Sequence, residues 1–415
     1  MDAKQRVMTA LAHREPDAVP MDFGATATTG IAASVVHRLR EALGLGGVVK
    51  VVEPYQVLGE VGADLRQALG IDVAGVAKSK NMFGFPNADW RPWRLFDGTP
   101  VLVPGLFNTD PDENGDILMF PEGDRTAPPS GRMPCGGYYF DAIVRQPPID
   151  DAALRVEDNL EEFGPIPEEE VDHLEREARG LAAGGLAVVG NFADAGFGDI
   201  ALVPAPFLRH PKGIRDVEEW YVSTITRKEY VREVFARQCD VVLANLERIH
   251  ERLGDLIDVL FVTGTDFGTQ RGPFISREAY RDLYMPFHRR VNDWVHDKTS
   301  WFTFIHSCGG VEPLIGDFIE AGFDILNPVQ CSAAGMAPEH IKNAYGADIV
   351  FWGGGVDTQR TLPFGTPEEV REEVRRRVEV FAEGGGYVFN AIHNVQANCP
   401  TENVMAMFEA FDECR

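Results

Sequence analysis

The sequence predicts an α/β fold of the (β/α)8 barrel type, and three observations lead there. Apolar, strand-like runs alternate with helical patterns from one end of the chain to the other. About eight such runs occur, the number a barrel needs. The length of 415 residues suits a barrel that carries an insertion.

In order, the runs are VPMDF (19–23), IDVAGV (71–76), LAVVGNF (186–192) and IDVLFVT (257–263), then WFTFIHS (301–307), FDILNPVQ (323–330), ADIVFWGGG (347–355) and GYVFNAIH (386–393). Each is short, rich in β-branched or aromatic residues and bounded by turn formers. A doubly wound open sheet is the competing layout. It calls for a glycine-rich phosphate turn after the first strand, and MDFGATATTG does not match G-x-G-x-x-G. Between about residues 80 and 165, Gly, Pro, Asp and aromatics crowd together, which reads as short antiparallel strands inserted in a single domain spanning 1–415. Helices between the later strands are marked by their caps. Thr366 is the expected N-cap of PEEVREEVRRRVEVFA, with Pro367 at its first position and Glu368 and Glu369 in its first turn. The acidic run EEFGPIPEEEVDHLERE reads as a solvated helix start rather than a metal site.

Composition narrows the function classes. A formal charge of −25 argues against binding nucleic acid, which needs clustered Lys and Arg. No apolar stretch reaches about eighteen residues, so no membrane-spanning helix is expected. The first residues, MDAKQRVMTALAHREPD, are charged throughout and lack the apolar core of a signal peptide, so cytoplasmic residence is expected. In a reducing compartment the six cysteines should be thiols.

In a (β/α)8 barrel, catalytic groups come from the carboxyl ends of several strands. Those ends carry Asn191 and Asp194, the stretch from Thr263 to Gln270, His306 and Cys308, Asn327 and Gln330, the triple glycine 353–355, and His393 with Cys399 beyond it. A structural protein has little reason to load one rim this way. His306 and Cys308 share a strand face because side chains alternate. With Cys399 they make one imidazole and two thiols, a set that zinc takes when a fourth position stays open for a reacting group. Each residue also has a plainer reading. Lone His-x-Cys pairs arise by chance, and free cysteines are usually small buried hydrophobes. Asp266 either caps a helix or acts as an acid or substrate acceptor. His393 is either a satisfied strand-end histidine or an outer partner of the metal site. The triple glycine binds phosphate, makes a tight turn or permits a close approach.

The segments RVMTALAHREPDAVPMDFG, GTQRGPFISREAYRDLYMPFHRRV and HSCGG through NCPTENV resemble the uroporphyrinogen decarboxylase superfamily over nearly the whole chain, and within it the branch of zinc-dependent corrinoid methyltransferases. The resemblance implies a (β/α)8 TIM barrel of the uroporphyrinogen decarboxylase-like type and zinc bound by His306, Cys308 and Cys399. It further implies transfer of a methyl group from a methylated small molecule, such as a methyl ether, to the cobalt of a cobalamin carried by a separate corrinoid protein. In that scheme Asp266 and His393 would assist proton transfer, and Asn191, Gln270, Asn327 and Gln330 would bind substrate. A homodimer is the assembly this reading allows. The decarboxylase itself is marked by an arginine-rich segment after the first strand; here that stretch is MDFGATATTGIAAS, without arginine. Porphyrin decarboxylation, thiol methylation from methylcobalamin and a non-catalytic metal- or tetrapyrrole-binding barrel are the alternatives.

Overall fold

A computed structural model describes residues 1–415. Its centre is a curled sheet of seven parallel strands: β1 Val73–Ala77, β2 Ala187–Asn191, β3 Val259–Thr263, β4 Phe302–His306, β5 Ile325–Asn327, β6 Val350–Trp352 and β7 Tyr387–Val388. They lie side by side in chain order. Residues 19–23 fill the remaining gap. Met21 pairs in parallel with Phe389, and its carbonyl accepts the Asp72 N–H at the foot of β1 (2.9 Å). The seven strands and this stretch coincide with the eight runs expected from the sequence, and the mixed α/β barrel follows from them.

Helices cover the outside: α1 Ala3–Leu11, α2 Ala33–Ala42, α3 Glu168–Ala183, α4 Val217–Thr226, α5 Lys228–Leu253, α6 Met285–Lys298, α7 Glu312–Glu320, α8 Pro338–Tyr345, α9 Pro367–Ala382 and α10 Thr401–Cys414. The α9 cap is as expected: Thr366 accepts the Glu369 N–H and the Glu369 carboxylate reaches back to Thr366, closing a capping box. No helix is long and apolar enough to cross a membrane. Residues 80–165 carry antiparallel pairs, Arg91–Arg94 with Pro100–Val103, and Ile117–Met119 with Gly131–Met133 and then Asp141–Ala142.

Period-two alternation decides what the barrel interior contains. Val73, Ala187, Val189, Val259, Phe304, Ile325, Val350, Trp352 and Val388 form one buried cluster, plugged below by Val7 and Leu11 of α1. Two residues further along the same inward faces stand Asn191, His306, Asn327 and Asn390. The interior therefore changes from apolar to polar at the carboxyl ends of the strands. The loop between β2 and α4 is tied down by two arginines. Arg145 donates to the carbonyls of Ala205 and Leu208 (both 2.6 Å), and the buried Arg215 grips Glu162 with two bonds (2.8 and 3.1 Å).

His288 of α6 is fully buried against Phe197, Phe267 and Phe323, with Nδ1 on the Tyr280 hydroxyl and Nε2 unpartnered. Burial pushes this imidazole down to about 3. The unfolded chain, with an ordinary histidine near pH 6.5, binds the proton first, so stability falls as pH drops from about 6.5 toward 3, by about 1.4 kcal/mol per pH unit for this group. In urea titrations at pH 7 and pH 5, the stability gap between wild type and His288→Phe should narrow at the lower pH. Parallel pH slopes would show that His288 does not carry this dependence.

Candidate metal centre

β4 and β5 are in register with His306 opposite Asn327, so their inward side chains meet. Asn327 Nδ2 donates to the Trp352 carbonyl (2.7 Å), which turns Oδ1 toward His306. His306 must then donate from Nδ1 (2.5 Å), leaving the lone pair of Nε2 aimed across the barrel mouth. Nε2 lies 3.3 Å from the Cys308 Sγ. The third member arrives from the other end of the sheet. His393, beyond β7, holds a positive φ of 77°, rare for a non-glycine residue, and its ring lies 5.2 Å from that of His306. Asn394 anchors this turn, accepting the Gly30 N–H (2.5 Å) and donating to the Ala27 carbonyl (2.8 Å) and Gln56 (2.7 Å). The ligand atoms of His306, Cys308 and His393 all lie within 4.8 Å of one another.

This donor set fits a metal ion. Tetrahedral zinc with ordinary Zn–N and Zn–S bonds separates its N and S ligands by about 3.5 Å, close to the His306–Cys308 spacing. Burial pushes His306 down to about 4; burial, then the neighbouring His306, pushes His393 down to about 3. Both rings are therefore neutral at pH 7, as ligands must be. Burial foremost, then Asp266, pushes the Cys308 thiol well up, so a cation must expel its proton to bind there. The Asn394 N–H donates to His393 Nδ1 (2.8 Å), which places the proton of the free ring on Nε2; ligation at either nitrogen displaces that local bond.

The other expected residues fall into place around this group. Asp266 caps no helix: its Oδ1 accepts the Cys308 N–H (2.6 Å) and stands 3.8 Å from His306 Nε2. Gln330 Oε1 accepts the Gly309 N–H (2.7 Å) and so holds the turn after Cys308. Gly309 needs to be glycine. Its φ is +92°, and a Cβ would lie 2.4 Å from the Gly268 backbone. The triple glycine likewise serves close approach, since a Cβ on Gly353 would meet the Pro328 carbonyl at 2.5 Å. Asn191 spends its amide nitrogen on the Ala25 and Val76 carbonyls (2.9 and 3.3 Å). Gln270 is exposed and bonds Gln359 (3.0 Å). Asn327 and Gln330, expected to bind substrate, are here hydrogen-bonded to the protein itself.

Cys399 is not brought to this group. The chain turns after His393, Val395 bridges to Ile31, and the Arg38 guanidinium takes the carbonyls of Ala397 and Cys399 (3.0 and 2.9 Å). The Cys399 side chain is fully buried in the main hydrophobic core, and burial pushes its thiol up to about 11. The sequence reading set Cys399 beside His306 and Cys308; in the structure it is His393 that lies with them. Sequence reasoning also missed Asp199 and Tyr221. The only mark of Asp199 is GFGD, placed just beyond the second strand-end, and Tyr221 has none.

Comparison with known proteins places the chain. A family model for uroporphyrinogen decarboxylase (URO-D) matches residues 205–414. The chain belongs to the URO-D family. No curated protein matches it. Among solved structures, a methyltransferase from Methanosarcina mazei superposes with a TM-score of 0.55 at 14% identity, covering 100% of this chain and 99% of that one. A beta-glycosidase, BGL167, aligns at a TM-score of 0.31 and 15% identity over 63% of this chain and 82% of that one, and bears no weight. The URO-D match contains β3 to β7, and with them His306, Cys308, Asn327 and His393.

Removing the Asn327 acceptor should release His306 from its fixed tautomer. Asn327→Leu is expected to lower metal affinity by about 10–100-fold, measured by competition with a chelating indicator. Unchanged affinity would show that Asn327 does not orient the ligand.

Proposed function

We propose that this chain is a zinc-dependent methyltransferase that moves a methyl group from a methylated small molecule, such as a methyl ether, to the cobalt of a separate corrinoid protein. One observation carries the reading: the donor group His306, Cys308 and His393 at the mouth of a URO-D family barrel. The likeness to a methyltransferase fold over the full chain supports it. Zinc at these three residues would supply Lewis acidity to the heteroatom that carries the methyl group. The chain's own residues do the rest. Asn327 keeps His306 in the ligating tautomer, Asp266 and Gln330 hold the Cys308–Gly309 backbone, and the His393 turn sets the third donor.

Decarboxylation of a carboxylate-rich tetrapyrrole fits poorly. No Lys or Arg is paired with Asp199 or Asp266 at the mouth, so no cation there is placed to hold a substrate carboxylate.

Metal analysis of purified variants tests the ligand set. His306→Ala, Cys308→Ala and His393→Ala should each lose zinc, and Cys399→Ala should keep it. Zinc retained in all of the first three would refute the proposed centre. Methyl transfer is read from the visible spectrum of a reduced corrinoid protein mixed with wild type and a panel of methyl ethers. No methylated corrinoid from any of them would count against the activity.

A further inference from the structure

Two loops and a helix at the barrel mouth converge beside Cys308. The loop after β2 brings Asp199, the loop after β3 brings Asp266, and α4 brings Tyr221, whose hydroxyl donates to the Asp266 carbonyl (3.3 Å). The two carboxylates are not equivalent. Asp266 is committed to the Cys308 N–H. Asp199 is 9% exposed, and only its Oδ1 is occupied, by the Ala201 N–H (2.9 Å). Its Oδ2 carries no hydrogen bond and lies over Gly264, where a Cβ would sit 3.1 Å away. A side chain at 264 would take the space this oxygen occupies. Behind Tyr221 the Trp220 indole, packed against Gly198, is directed at the Tyr284 hydroxyl. Phe274 meets the Tyr221 ring edge-on at 4.8 Å, supplying an apolar wall.

Resting on the methyl-transfer reading above, we propose that Asp199 is the acid that delivers a proton to the heteroatom released from the methyl group. The step balances as follows. The bond between the methyl carbon and oxygen breaks with its electron pair left on oxygen. The methyl carbon is taken by the electron pair of the reduced corrinoid, the co-substrate. The Asp199 O–H bond breaks, its proton goes to that oxygen, and solvent restores the carboxylic acid. Burial first, then the charge of Asp266, lifts Asp199 to about 7, so a large fraction of it holds a proton at neutral pH. The titratable groups that face it are Asp266, Tyr221, Cys308 and, behind Tyr221, Tyr284. No cation is paired with it, which suits a neutral ether better than an anionic one.

Two readouts test this. In infrared difference spectra of wild type against Asp199→Asn, a carboxylic-acid carbonyl band should be present at neutral pH and fade as pH rises through about 7. The absence of such a band overturns the proposal. The second readout uses the chain with a corrinoid protein and, as methyl donors, methoxybenzene and its nitro-substituted analogues, whose phenols are stronger acids. Asp199→Asn should lower kcat by about 100-fold or more for methoxybenzene, and progressively less as the leaving phenol becomes more acidic. An equal loss across the series overturns Asp199 as the donor while leaving the methyl-transfer reading in place. A wild type inert toward the whole series, with the infrared band intact, overturns the methyl-transfer reading and this role with it. Should Asp199→Asn not fold, Gly264→Ala, which crowds Oδ2, should produce the same graded loss, and an even loss in that variant overturns the proposal.

Discussion

The hydrogen bond between Asn327 and His306 is the constraint on which the site depends. Three neighbouring strands meet in it: β6 offers the Trp352 carbonyl, β5 the amide that reads it, and β4 the imidazole that the amide then orients. Parallel register makes the geometry automatic, because residues opposite each other in adjacent strands present side chains to the same face. A one-residue slip of β5 would turn Asn327 outward and leave His306 free to adopt either tautomer. The apolar layers beneath, from Phe304, Ile325 and Trp352, hold that register by filling the barrel. Core packing and ligand orientation are thus one structural fact seen at two depths.

Burial tunes the mouth in a consistent direction. It keeps both imidazoles neutral, keeps Cys308 a thiol until a cation arrives, and lifts the carboxyl of Asp199 toward neutrality. With both imidazoles and the thiol uncharged, a dication can bind among them without first breaking an ion pair between them. The rim also stores strain. Asp194, Val329 and His393, each just past a strand end, all hold positive φ, and such residues persist only where the surroundings over-determine them.

Much of this was legible in the chain. Every strand run could be read because each combines a short apolar stretch with a glycine- or polar-rich stop, and the inward polar layer follows from period two. His306 and Cys308 were legible for the same reason. That His393 rather than Cys399 would lie with them was not. Cys399 is the chemically attractive partner, but whether the chain delivers it depends on the left-handed turn at His393 and on the Arg38 grip beyond it, and neither has a local sequence signature. Asn327 and Gln330 looked like substrate contacts because they are polar and rim-placed. Their partners in the structure, a side chain and a backbone N–H, are not foretold by spacing. Asp199 sits in a loop tied down by Arg145 and by Arg215 gripping Glu162, so its arrival beside Asp266 could not be read from spacing.

On the proposed ligand set, two imidazoles and one thiolate hold the metal. X-ray absorption at the zinc edge reads it directly, since sulfur ligands lie about 2.3 Å from zinc and nitrogen ligands about 2.0–2.1 Å. A first shell with one sulfur and at least two nitrogens is predicted from His306, Cys308 and His393. Two sulfurs in that shell would mean that Cys399 joins the metal and would contradict the account.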